Sequence, residues 1–388
     1  MNWFYRHFIR PVLFAQDPEA IHRFTINMLA YASRYEWMCD AMESYLGSPA
    51  LPSRVFGLDF PNPIGLAAGM DKDGEATPVW AAMGFGHCEL GAVTWQAQPG
   101  NPVPRIFRIV QDEAVINRMG FNNIGAAALA AVLQEWQHKH RWPKHPVAIN
   151  LGKTKITPLE KAPEDYAQSL DVLWPYADFF VINVSSPNTP NLRELQNKKA
   201  LEEILAALNE VNQKHANLAT QKKAGLAHHD HGTPAAKSYK PILVKVAPDL
   251  SFEALDEILG LVMERQVAGL VATNTTITRP QSDNPDIARI YQEMGGLSGK
   301  PLRARSTEII RHLYKQSQGK IPIMGVGGIF TADDAWEKIA AGASLLQIYT
   351  SLVYEGPGVV KKIVTGLKEK LGQHGMKELS EAVGCENR

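Results

Sequence analysis

The chain has 388 residues, of which 45% are hydrophobic and 21% are charged, as in a globular protein with a substantial core. Forty basic residues balance forty acidic ones, so the chain lacks the basic field of a nucleic-acid-binding protein, and we expect no nucleic-acid partner. Its three cysteines lie far apart and form no CxxC spacing, which argues against a disulfide framework and against a zinc site. We expect free thiols in a reducing compartment and no metal centre.

No run approaches the roughly 20 apolar residues that a membrane-spanning helix needs. The first twenty residues do not look like a secretory signal, because Arg6, Arg10 and Pro11 interrupt the apolar stretch and no small-residue cleavage site follows. The sequence therefore predicts a protein that stays in the cytoplasm, without requiring that it be free in solution.

The first fifty residues differ in character from the rest of the chain. Asp17, Pro18 and Glu19 predict a helix start, with Asp17 as the N-cap. Two interpretations of this segment stay open, namely docking on the main domain and shallow insertion into a membrane surface, where arginines would meet anionic headgroups. Before that start, apolar side chains alternate with Arg6 and Arg10, and they are Trp3, Phe4, Phe8, Ile9, Val12, Leu13 and Phe14.

From about residue 62 onward, short apolar runs alternate with helical patterns. Nearly continuous apolarity indicates strands that are buried on both faces. Eight such strands predict an α/β fold, a TIM (β/α)8 barrel over residues 51–388 that follows a small N-terminal helical segment, residues 1–50; a doubly wound sheet is the alternative. The strands are expected near 64–68, 88–94, 146–151, 179–184, 242–246, 269–273, 322–326 and 344–349, and the helices at 124–139, 164–174, 198–217, 252–265, 303–317 and 332–341.

Two stretches interrupt this alternation. Residues 95–122 predict a hairpin inserted after the second strand. Residues 217–240 are polar and predict a surface loop. Its His228, His229 and His231 could bind a metal, but solvated side chains are the simpler interpretation.

Polar residues gather where the predicted strands end, which is the active-site face of such barrels. The absence of a carboxylate pair or a metal-ligand cluster argues against hydrolysis by paired acids and against metal catalysis. Asparagines, threonines and two lysines suit a neutral heterocycle that carries an anionic group. The glycine-rich turn 325–328 after the seventh strand favours a phosphate site.

Nine motifs follow one another along the chain, namely AAGMDKDGEA (67–76), NRMGFNN (117–123), INLGK (149–153), VINVSSPNTPNLR (181–193), VKVAPD (244–249), ATNTT (272–276), GGLSGKPLR (295–303), GVGGI (325–329) and QIYTSLVYEGP (347–357). Taken in this order, they closely resemble the motifs of the dihydroorotate dehydrogenase family. Within that family, Ser186 resembles the catalytic serine of the quinone-linked class, whereas the soluble class has a cysteine there. The apolar N-terminal segment is similar to that of the quinone-linked class as well.

The resemblance implies oxidation of dihydroorotate to orotate in pyrimidine synthesis. Ser186 would be the base that takes a proton from C5, while a hydride passes from C6 to N5 of an FMN cofactor. Thr189 and water are candidate relays for the proton of the Ser186 hydroxyl. The implied substrate contacts are Lys72, Asn117, Arg118, Met119, Gly120, Phe121, Asn183, Asn188, Asn274 and Thr275. The implied FMN contacts are Ala67, Ala68, Gly69, Met70, Asp71, Lys72, Thr94, Asn150, Asn183, Lys245, Thr273, Gly299, Gly328, Tyr349 and Thr350.

The resemblance also implies a membrane quinone as the electron acceptor. It would enter a tunnel between the N-terminal helices, lined by His22, Arg108 and Tyr349, in a protein bound peripherally to the cytoplasmic face of the cell membrane. The alternatives are a soluble-class enzyme with another acceptor, a different FMN barrel such as a hydroxyacid oxidase, and a non-catalytic membrane-associated barrel.

Overall fold

The computed structural model describes residues 2–226 and 239–387, and its centre is a closed barrel of eight parallel strands. The predicted TIM barrel is therefore confirmed, and the doubly wound alternative is wrong, because the last strand pairs with the first. Every residue of most strands is buried, since one face lines the barrel interior and the other packs on helices. The first to eighth barrel strands are Ile64–Leu66, His87–Val93, Val147–Leu151, Phe179–Asn183, Ile242–Val246, Gly269–Ala272, Ile323–Val326 and Leu345–Ile348.

Helices surround the barrel and follow the predicted pattern closely. They are Val79–Ala82, Ala126–His138, Ala162–Leu173, Lys198–Leu226, Phe252–Glu264, Pro285–Tyr291, Arg303–Gln316, Ala332–Ala341, Thr350–Glu355, Val359–Gln373 and Leu379–Ala382. The prediction of a loop from residue 217 is wrong for its first part, because the helix Lys198–Leu226 continues through it. Alanine, lysine, glutamine and leucine in this stretch are strong helix formers, so a polar composition was a poor sign of a loop. His228, His229 and His231 lie outside the described residues.

Two small antiparallel sheets are present in addition to the closed barrel. The predicted hairpin exists as Ile106–Ile109 and Ala114–Asn117, and a third strand, Gly296–Gly299, joins it from far along the chain. A second hairpin, Ser53–Val55 with Leu58–Phe60, packs its side chains against the barrel interior.

The N-terminal segment is helical, as expected. A short helix over residues 2–14, with a π-helical stretch at Tyr5–Ile9, precedes the helices Pro18–Ser33 and Glu36–Leu46. The Asp17 side chain accepts hydrogen bonds from the N–H groups of Glu19 (3.0 Å) and Ala20 (2.9 Å), which confirms it as the N-cap.

This segment is only partly covered by the barrel. Ile26 and Leu46 are buried in the main core, and the Tyr5 hydroxyl donates to the Val353 carbonyl (2.8 Å), so the segment docks on the main domain. Several large apolar side chains nevertheless stay more than half exposed, and they are Trp3, Phe4, Phe8, Val12, Phe24, Met28, Trp37 and Tyr45. In the described part of the chain, no helix combines the length and apolarity needed to cross a bilayer. The division into residues 1–50 and 51–388 stays a prediction.

Candidate active site

One cavity of about 390 Å³ opens at the carboxyl ends of the barrel strands and reaches the N-terminal helices. Because the strands are parallel, their carboxyl ends converge on one mouth and bring distant parts of the chain together. The structure places most of the predicted site residues in the wall of this cavity. They are His22, Ala67, Ala68, Gly69, Met70, Lys72, Arg108, Asn117, Met119, Gly120, Phe121, Asn183, Ser186, Asn188, Lys245, Thr273, Asn274, Thr275, Gly299, Gly328, Tyr349 and Thr350.

Four asparagine side chains line one part of this wall. Asn188 Nδ2 donates to Asn117 Oδ1 at 3.2 Å, and Asn274 Nδ2 donates to Asn183 Oδ1 at 3.1 Å. Each side-chain amide carries two donor hydrogens and an acceptor oxygen with two lone pairs, so each keeps hydrogen-bonding capacity for a ligand. The group is suited to a planar ring that contains amides.

Ser186 lies beside these amides with 6% of its surface exposed. Its Oγ accepts a hydrogen bond from the backbone N–H of Asn188 at 3.3 Å. Within the described residues, no carboxylate or imidazole is hydrogen-bonded to this hydroxyl. The Ser186 hydroxyl therefore has no hydrogen-bonded side-chain base that could accept its proton, which distinguishes the site from a serine–histidine pair.

Two lysines bring positive charge to the cavity. Lys72 donates to the Asn122 side chain, and burial, followed by the nearby Arg105 cation, lowers the pKa of Lys72 to about 8. Lys245 has 6% of its surface exposed, and its Nζ lies 4.0 Å from a carboxylate oxygen of Glu89. Both lysines line the cavity, and each ammonium has three donor hydrogens but only one of these partners among the described residues, so the site is suited to anionic groups.

At the far end of the mouth, the residues present fit the phosphate and the ring system of FMN. Gly327 and Gly328 have φ angles of +121° and +68°, so the backbone turns tightly after the seventh strand. In the described part of the chain, the N–H groups of Gly328 and Thr350 donate to no protein acceptor. Gln347 Oε1 is buried there without a hydrogen-bond partner, and the Lys245 ammonium lies beside the same cavity. Unpaired donors and an unpaired acceptor in one pocket indicate a polar ligand.

Toward the N-terminal helices the cavity becomes apolar. Arg108 lies over the Phe14 ring at 4.5 Å and donates to the Leu13 carbonyl at 3.4 Å. Burial, with the Lys72 cation as the next cause, lowers the pKa of His22 to about 4, so its imidazole is neutral at pH 7. Burial also raises the pKa of Tyr349 to about 12. An apolar passage with one guanidinium, a neutral imidazole and a phenol hydroxyl is suited to a hydrophobic molecule with oxygen atoms at one end.

Known proteins are similar to the chain in sequence and in architecture. The family model for dihydroorotate dehydrogenase matches residues 50–371. The chain is 47% identical to the dihydroorotate dehydrogenase (quinone) of Trichormus variabilis, over 98% of each chain, and 48% identical to that of Gloeobacter violaceus, over 97% of each. The chain belongs to the dihydroorotate dehydrogenase family. It is an oxidoreductase of that family, and the resemblance that its motifs carry is confirmed.

Solved structures of dihydroorotate dehydrogenases agree with this membership. The structure of the Eimeria tenella enzyme in complex with ferulenol is similar to the chain with a TM-score of 0.81 and 36% identity, covering 96% of each chain. The ligand-free enzyme of the same organism matches with a TM-score of 0.79 and 34% identity, over 94% of this chain and 99% of that one.

Four of the residues predicted for the site do not line the cavity. The Asp71 carboxylate accepts from backbone groups at 75 and 76 and from the Trp80 indole, so it organises the turn after the first strand. Thr94 bonds within its own turn and to Asn123. Asn150 lies beneath the mouth, inside the barrel, and donates to Glu89.

Arg118 is the fourth. Its guanidinium pairs with Glu293 at 2.6 Å and lies over the Phe107 ring at 4.6 Å, so the structure does not bring its side chain to the cavity. Contacts of these four residues with a ligand stay predictions.

The sequence did not reveal several functional candidates. Gln347 and Ser298 line the cavity, and Ser298 Oγ accepts from the Thr350 hydroxyl at 2.9 Å. Asn122 accepts from Lys72. Glu89 is completely buried in the second barrel strand. A carboxylate within an otherwise apolar run was a signal for Glu89, since an unpaired buried charge is strongly disfavoured.

Proposed function

We propose that the chain oxidises (S)-dihydroorotate to orotate in de novo pyrimidine (UMP) synthesis, with FMN as its cofactor and a membrane quinone as the electron acceptor. The observation that carries this proposal is the continuous cavity that connects Ser186 and Lys72 at the barrel mouth with His22 and Arg108 beside the N-terminal helices. A polar, amide-lined part and an apolar part of one cavity suit two chemically different reactants that share a cofactor.

The substrate is proposed to lie against the asparagines. Their amides can pair with the ring N–H and C=O groups of dihydroorotate, and the Lys72 ammonium can pair with its carboxylate. Ser186 Oγ takes the proton from C5. Because no side-chain base holds the hydroxyl proton of Ser186, we propose that this proton leaves through water, with Thr189 as a relay.

When bound, FMN would supply N5 as the acceptor of the hydride from C6 and would serve as the two-electron carrier between dihydroorotate and the quinone. Gly328 and Thr350 would hold its phosphate through backbone N–H groups. The Lys245 ammonium would stabilise negative charge on the ring system. Gln347 Oε1 offers an acceptor in the same part of the cavity.

We propose that the N-terminal helices lie on the cytoplasmic face of the cell membrane and admit the quinone between them. The support is the group of exposed apolar side chains on these helices, with Phe8, Val12 and Phe24 more than half exposed. An apolar surface of this kind is costly in water and is favourable at the level of lipid headgroups. His22, Arg108 and Tyr349 then meet the quinone inside the cavity.

The test is an anaerobic titration of the purified protein. A flavin absorption band should be present, should bleach with dihydroorotate and should return when a quinone is added. A flavin that does not bleach would show that the substrate is wrong. A flavin that bleaches but returns only with fumarate or a nicotinamide would favour the soluble-class alternative, and a colourless protein that takes up no FMN would favour a non-catalytic barrel.

A further inference from the structure

A fully buried carboxylate, Glu89, lies inside the barrel below the mouth. It belongs to the second barrel strand, and none of its surface is exposed. Glu89 does not itself line the cavity. Side chains from three other strands converge on it, namely Asn150, Lys245 and Gln347.

The carboxylate sets the direction of two side-chain amides. Asn150 Nδ2 donates to Glu89 Oε1, and Gln347 Nε2 donates to Glu89 Oε2. Glu89 accepts both hydrogen bonds, so each amide turns its NH2 group toward it. Their oxygens then point away from it. For Gln347 this oxygen is the unpaired Oε1 in the wall of the cavity.

Hydrogen bonds connect the Asn150 amide to a row of further asparagine amides. Asn150 Oδ1 accepts from Asn183 Nδ2 at 3.0 Å, and Asn183 Oδ1 accepts from Asn274 Nδ2 at 3.1 Å. The N–H of Thr275 closes the row by donating to Asn274 Oδ1 at 2.8 Å. Because the two ends of an amide differ, each member of the row is compatible with only one orientation of its neighbour.

Glu89 also carries the charge nearest to Lys245. Their closest atoms are 4.0 Å apart, and both side chains are shielded from water. An ammonium group that is buried without an opposite charge is strongly disfavoured. Glu89 therefore keeps a positive charge at Lys245 compatible with burial in this part of the fold.

We propose that Glu89 is a positioning residue that sets which donors and acceptors the asparagine row and Gln347 present to the ligands of the cavity. This inference rests on the proposed function, because it assigns the row to the dihydroorotate and orotate site. Glu89 acts through Asn183 and Asn274 and does not touch the substrate.

The decisive variant is Glu89→Gln in the full-length, FMN-loaded protein. The glutamine side chain has nearly the same shape, but its NH2 group only donates hydrogen bonds. One end of its amide therefore cannot accept the hydrogen bond that Asn150 or Gln347 donates to Glu89. We expect orotate, titrated by its effect on the flavin absorption spectrum, to bind roughly ten- to a hundred-fold more weakly, as when a buried polar group loses its partner.

The matched control is Asp165→Asn, which changes another buried carboxylate to an amide outside the cavity. Asp165 accepts from the Thr154 N–H at 3.0 Å and from the Thr157 hydroxyl at 2.7 Å. This variant should lower the melting temperature and leave orotate affinity within about threefold. Unchanged orotate affinity in Glu89→Gln, or an equal loss in both variants, would overturn the proposal.

A second pair of variants keeps the idea testable if Glu89→Gln does not fold. Gln347→Glu would place a second carboxylate against Glu89, whereas Gln347→Met only removes the amide. We expect Gln347→Glu to melt at a clearly lower temperature than Gln347→Met, and equal melting temperatures would overturn the role of the Glu89 side chain as a hydrogen-bond acceptor. If the unaltered protein binds no FMN or is not reduced by dihydroorotate, the proposed function fails instead.

Discussion

Replacing His87 should remove a defined part of the acid sensitivity of the fold. His87 begins the second barrel strand, and its ring is fully buried at the amino-terminal end of the barrel, with the Phe60 ring 5.4 Å away. Neither ring nitrogen has a hydrogen-bond partner among the described residues. Burial, followed by repulsion from His145, lowers the pKa of His87 from 6.5 to about 3.

The sign and size of the effect follow from proton linkage. Below pH 6.5 the unfolded chain binds a proton at His87, whereas the folded protein does not until about pH 3, so stability falls as the pH falls through this window. At pH 5, which is about 1.5 units below the pKa of His87 in the unfolded chain, protonation of the unfolded state lowers the free energy of unfolding by about 2 kcal/mol. At pH 8 the contribution is close to zero.

The measurement is urea unfolding of the wild type and of His87→Leu between pH 8 and pH 5. The leucine has a similar volume and no titrating group, so the wild type should lose about 2 kcal/mol more than the variant over this range. His138→Gln, at an exposed position, should retain the wild-type pH dependence. Parallel stability curves for wild type and His87→Leu would refute the reasoning, because they would mean that the buried ring binds its proton as readily as it does in the unfolded chain.

Four further outcomes are expected. Ser186→Ala should slow anaerobic flavin reduction by dihydroorotate by about 10²–10⁴-fold in a stopped-flow experiment, and a near-normal rate would place the base elsewhere. Orotate affinity should begin to weaken near pH 8, where Lys72 loses its proton, and Lys72→Met should bind weakly at all pH values; a wild-type profile that is flat to pH 10 would contradict this. The double variant Phe8→Ser with Val12→Ser should sediment less with anionic lipid vesicles while its flavin still bleaches with dihydroorotate, and equal sedimentation would exclude this surface. Asp17→Ala should lower the unfolding free energy by about 1 kcal/mol in a denaturant titration through loss of two N-cap hydrogen bonds, and no change would show that water replaces the cap.

Most of the fold could be predicted because its signals are local. Eight buried strands read as continuous apolar runs, and the helices between them show a 3.6-residue period. The Asp17 cap and the inserted hairpin likewise depend on neighbouring residues. The strand Gly296–Gly299 could not be recognised in this way, since it is rich in glycine and forms only by pairing with Ala114–Asn117.

The sequence predicted which residues form the candidate site, but it did not predict the hydrogen bonds and ion pairs between them. The strand-end motifs placed Ser186, Asn274 and Lys245 at one mouth because parallel strands must end together. Whether a side chain at a strand end lines the cavity depends on its partners, and Arg118 pairs with Glu293 and is not part of the cavity wall.

The sequence by itself determined the barrel, the apolar N-terminal helices and the set of polar residues at the mouth. Only the tertiary structure decided how these residues are oriented. Glu89 shows the physical reason, because the partners that make its burial possible lie 61 and 258 residues away along the chain. A buried carboxylate is strongly unfavourable until those partners reach it, and they reach it only when the barrel closes.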